Sequence, residues 1–127
     1  MAESKIYVDG GDSVNQYAGD TSIQAAAAVA SPPSGTNIVE STISEGFWHI
    51  HVVRAAAGTG TPVNFNAAQL RIGPDFYDLV QIPVLGLLYE YDFYTKVTGD
   101  TDIAVYQNLD ASADITISAS LTSTKIA

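Results

Sequence analysis

The stretch DITISASLTSTKI, residues 114–126, alternates without a break: Ile115, Ile117, Ala119 and Leu121 fall at every second position, with Thr116, Ser118, Ser120 and Thr122 between them. Successive side chains of an extended strand point to opposite faces, so this period puts the apolar set on one side and the hydroxyls on the other. No helix sorts such a pattern onto one face. The same texture fills the chain from residue 37 onward. IVESTIS (38–44), GFWHIHVVR (46–54), PVNFN (62–66), AQLRIG (68–73) and IAVYQNL (103–109) all read as strands, and GFWHIHVVR sets Trp48, Ile50 and Val52 on one face. AAAGTGTP, Gly73-Pro74-Asp75 and TGDTD supply turns. Within LVQIPVLGLLYEYDFYTKV, Pro83 and Gly86 mark a bulge, a bend or a break between two strands. Short strands at close spacing, with no helix of useful length, predict an all-β fold: an antiparallel β-sandwich or jelly roll. No fixed-length repeat is visible, which argues against a propeller or solenoid.

The part before residue 37 reads differently. After a short strand-like KIYV (5–8) comes DGGDSVNQYAGDTS, rich in Gly, Asp and Ser, which reads as irregular chain. Residues 25–30, AAAAVA, are expected to form one or two helical turns, since alanine is the best helix former. SPPSG (31–35) then interrupts regular structure. The expected organisation is an irregular N-terminal arm over residues 1–36, ordered on a neighbouring subunit, and a sandwich domain over residues 37–127.

Composition narrows the function. The 127 residues suit one domain, long enough to bury roughly two thirds of the unfolded surface. With no cysteine, disulfide scaffolds, thiolate metal clusters and cysteine nucleophiles are excluded. Five Lys and Arg against 14 Asp and Glu give a formal charge of -9, a field that repels phosphate backbones and anionic lipid, so neither nucleic acid nor membrane is an expected partner. The longest small-apolar run falls far short of the roughly 20 residues of a spanning helix. Hydrophobic residues make up 46% and charged residues only 15%, and the apolar surplus is expected to go into contacts with other chains, including copies of this one.

Both histidines stand in FWHIHVV, residues 47–53. On a strand His49 and His51 share a side, and such a pair can supply two metal ligands, though a catalytic centre needs a third. In the cupin pattern that shares this spacing a glutamate follows shortly after, whereas here Arg54 and three alanines occupy those positions. The expectation is therefore no metal and no cofactor, with His49 and His51 as weak candidate ligands. If Trp48, Ile50 and Val52 fill the core, His49 and His51 lie with Phe47 and Val53 on a half-apolar outer face suited to a subunit contact. In LLYEYDFYT, Tyr89, Tyr91 and Phe93 share one side of a strand, opposite Glu90, Asp92 and Tyr94. Tyrosine favours interfaces, so the expected interface set is Phe47, His49, His51, Tyr89, Tyr91 and Tyr94. Exposed tyrosines or Trp48 would instead stack on sugars in a carbohydrate-binding or host-adhesion module. Asp9 with Asp12, and Asp100 with Asp102, lack the spacing of a calcium loop. No nucleophile elbow or phosphate-binding glycine loop is present, so no catalytic residue is expected.

The terminal strand DITISASLTSTKIA, the strand GFWHIHVV, the hairpin AAAGTGT before PVNF and the Ala/Gly/Pro-rich arm carry a resemblance. In texture, the chain resembles the small β-sandwich accessory proteins of tailed bacteriophage particles: the decoration, cement or head-fibre proteins. The resemblance implies a non-enzymatic protein, made in the host cytoplasm and located in the virion, that binds the major capsid protein or another virion protein as a homo-oligomer. A cupin-like metal-dependent enzyme is the third alternative.

Overall fold

The computed structural model describes residues 6–8, 12–14, 22–59, 68–79, 84–111 and 114–127. Its strands are β1 (Ile6–Val8), β2 (Asp12–Val14), β3 (Ser22–Ala30), β4 (Thr36–Ile43), β5 (Gly46–Gly58), β6 (Ala68–Ile72), β7 (Asp75–Asp78), β8 (Tyr89–Val97), β9 (Thr101–Gln107) and β10 (Ile115–Lys125). β1 and β2 pair with each other. The other eight form two four-stranded antiparallel sheets, ordered β3-β10-β5-β8 and β4-β9-β6-β7, packed as a β-sandwich.

The connectivity follows from pairing one half of the chain with the other in reverse. β3 pairs with β10, β4 with β9, β5 with β8 and β6 with β7, all antiparallel. Rolling this long hairpin brings β10 beside β5 and β9 beside β6, which completes the sheets. That is the jelly-roll wrap.

Alternation fixes which face turns inward. Along β5, Trp48, Ile50, Val52, Arg54 and Ala56 are buried, and along β10 Ile115, Ile117, Ala119, Leu121 and Ser123 are buried, while the residues between them face out. β4 breaks the alternation, because Ile38 and Val39 are both buried, and a register shift between Asn37 and Val39 accommodates them. Trp48 anchors the core at one end, its indole N–H donating to the Ser44 carbonyl at 2.7 Å.

Several expectations change. The alanine run is not helical. It is the edge strand β3, paired with β10 from Thr116↔Ala30 to Thr124↔Ser22. A six-residue helix cannot offset its own nucleation cost, whereas β10 offers a ready ladder, so pairing overrides local propensity. The sandwich therefore includes Ser22–Ala30, a strand inside the span expected to be an arm before residue 37. Ala55 to Gly58, expected to turn, continue β5 opposite β10. β7, not anticipated, follows the Gly73-Pro74 turn. The strand expected at PVNFN lies outside the described residues.

Candidate functional site

β5 and β8 are neighbours, and their register sets His51 directly opposite Asp92, with His49 opposite Tyr94 and Val53 opposite Glu90. All these side chains face outward, because the odd-numbered positions of this part of β5 and the even-numbered positions of β8 are the solvent side. One Asp92 carboxylate oxygen, Oδ1, lies 2.7 Å from His49 Nε2 and 2.9 Å from His51 Nδ1. The second ring nitrogen of His51, Nε2, lies 3.1 Å from Glu90 Oε1. Ligating atoms of His49, His51 and Asp92 fall within 4.8 Å of one another. The hydrogen bonds with His51 and then His49 hold the Asp92 carboxyl below its ordinary range.

Aromatic rings wall one side of the cluster. Tyr94 stacks on His49 with centroids 4.8 Å apart and planes 15° from parallel, and Phe47 follows at 6.4 Å from Tyr94. The histidines are about 30% exposed, which leaves the cluster reachable from solvent.

Of the six residues expected on one interface, Phe47, His49, His51 and Tyr94 share this outer face. Tyr89 and Tyr91 do not, since they turn inward and pack against the core. Trp48 is 2% exposed. A sugar-stacking platform built from Trp48, Tyr89 and Tyr91 is therefore absent from this surface, and Tyr94 alone among these aromatics is open, at 62%. Asp102 lies in β9 opposite Thr42 and accepts a hydrogen bond from its hydroxyl at 2.9 Å; Asp9 lies outside the described residues.

Two features were missed by sequence reasoning. The outward placement of Glu90 and Asp92 was legible, but their proximity to the histidines depends on which strand lies beside β5. Arg54 is the other: fully buried, with Nη2 donating to Gln107 Oε1 at 3.2 Å across the sandwich. Continuing the Trp48, Ile50, Val52 phase by one more step would have found it. Desolvation lowers the Arg54 guanidinium from its ordinary value to about 10, with Tyr91 acting in the opposite sense. Burial likewise pushes the Tyr91 phenol upward.

Compared with known protein families, curated proteins and solved structures, the chain has no match.

Proposed function

We propose that the chain is a non-enzymatic structural protein of a virus particle, which binds the assembled capsid and stabilises it as a decoration or cement protein. The observation that carries this reading is the edge strand β3, SIQAAAAVA. Among the described residues β10 is its only ladder neighbour, and its nine residues hold no charge, no proline and no bulge. Monomeric proteins blunt such edges with lysine, proline or a bulge. An edge without these devices suits a chain whose edge is covered in an assembly.

The adjoining outer face supports the same reading. Ala26, Val53, Ala55, Ser118 and Ser120 line a shallow depression beside Leu88, which is 68% exposed. Small side chains on a flat sheet let a second protein surface approach closely, and a weak contact repeated over a symmetric shell gains strength through avidity. By fold-level analogy, jelly rolls serve viral capsid proteins, lectins and cupins alike, so the edge and the face are the features that favour the first of these readings.

The test is a double substitution, Ala26→Lys with Ala28→Lys, on two exposed positions of β3. Light scattering of the purified chain, and co-sedimentation with capsids assembled from the major capsid protein of a candidate host phage, are measured for both forms. The expected result is association by the wild-type chain and at least a tenfold loss in the variant, with unchanged thermal unfolding. A wild-type chain that stays monomeric and ignores the shell, yet binds glycans through Tyr94, would overturn the proposal in favour of adhesion.

A further inference from the structure

We propose that His49, His51 and Asp92 form a binding site for a divalent transition-metal ion of the zinc class, with Glu90 orienting His51. The inference is independent of the assembly reading. It starts from where the ring nitrogens point. Both nitrogens of His51 face carboxylate oxygens, Nδ1 toward Asp92 at 2.9 Å and Nε2 toward Glu90 at 3.1 Å. A neutral imidazole carries one N–H, so one of these two contacts sets a lone pair against an anionic oxygen. His49 Nε2 competes for the same Asp92 oxygen at 2.7 Å. Two imidazoles and two carboxylates therefore crowd one outer face of the β5–β8 pair.

A metal ion seated among His49, His51 and Asp92, whose ligating atoms lie within 4.8 Å of one another, would bring all three onto one positive centre. With His49 Nε2, His51 Nδ1 and Asp92 Oδ1 as ligands, the remaining His51 N–H points at Glu90 and donates to it. A carboxylate behind a ligating histidine is the usual outer partner, fixing the tautomer and the ring orientation. Ligands about 2.0–2.2 Å from a tetrahedral zinc stand roughly 3.3 Å apart, so the two nitrogen–oxygen contacts, at 2.7 and 2.9 Å, have to open by about half an ångström. Exposed side chains on a sheet face can make that adjustment by rotation about χ1 and χ2. The rigid part is the backbone: the β5–β8 register holds His51 opposite Asp92 and His49 diagonal to it. Two imidazoles and one carboxylate suit zinc, cobalt, nickel or copper over calcium or magnesium. Three protein ligands leave a fourth position open to solvent.

The experiment is calorimetric titration of the full chain with zinc chloride, beside the visible spectrum of the cobalt-loaded protein. The expected result is one ion per chain. His49→Gln, His51→Gln and Asp92→Asn should each weaken binding more than tenfold, Glu90→Gln by about tenfold, and Asp100→Asn, on a distant turn, not at all. Cobalt absorption should intensify and shift to the pattern of a low-coordinate nitrogen and oxygen site, a readout that needs no variant. A wild-type titration that does not saturate, a cobalt spectrum equal to that of the free ion, or binding retained in all three ligand variants would overturn the site.

Discussion

At the scale of single residues, Arg54 is a costly choice for a core position. Its charge is desolvated between two sheets, and because its guanidinium falls only to about 10, it stays protonated at neutral pH and that cost is relieved only above this value. Arg54→Ala should destabilise by about 2–4 kcal/mol, from the cavity and from the loss of the Gln107 partner. Arg54→Met refills most of the volume without a charge and should cost less than about 2 kcal/mol. Urea unfolding of the two variants separates volume from charge: equal losses would mean that the guanidinium itself holds the site. Asp92 behaves in the opposite way. Its folded carboxyl is held below the ordinary 3.8, so it favours the fold above that value and the contribution disappears as pH falls through the lowered one. In metal-free protein the stability gap between wild type and Asp92→Asn should therefore be open above the ordinary 3.8 and should close as pH falls below it. A gap unchanged by acid would remove the histidine contacts from the account.

At the scale of elements, the strands with clean alternation were legible because two-residue periodicity is a local property. β10 and the first part of β5 needed no knowledge of their neighbours. β3 was not legible, since four consecutive alanines have no period and only β10 makes them extended. Nor was the site, because Asp92 meets the histidines through a pairing 41 and 43 residues distant in the chain. The reassignment of β3 alters what truncation should do. Removing residues 1–21 leaves both four-stranded sheets whole and should cost little. Removing residues 1–35 deletes β3, uncovers the flank of β10 and withdraws Ile23, Ala25 and Val29 from the core margin, which should cost about 3–5 kcal/mol. Chemical unfolding of the two truncations checks this, and equal stability would return residues 22–30 to the status of an arm.

At the scale of the whole molecule, every one of the four long-hairpin pairings was beyond reach of local reading, because the pattern of a strand does not name its partner. What the sequence did specify was the all-β class, since half-wet strands at short spacing with no useful helix bury their apolar faces only in packed or closed sheets. The jelly-roll order then decides which faces are outermost and so which residues can meet a partner at all. It also imposes an order in time. β10 lies between β3 and β5, yet it is translated after both. Until it leaves the ribosome, the first sheet has a gap at its centre, and the two strands that flank the gap wait with open backbone and apolar side chains. The first sheet can therefore close only once β10 has been translated, and a nascent chain stalled before residue 115 should be exposed to chaperone capture or to aggregation.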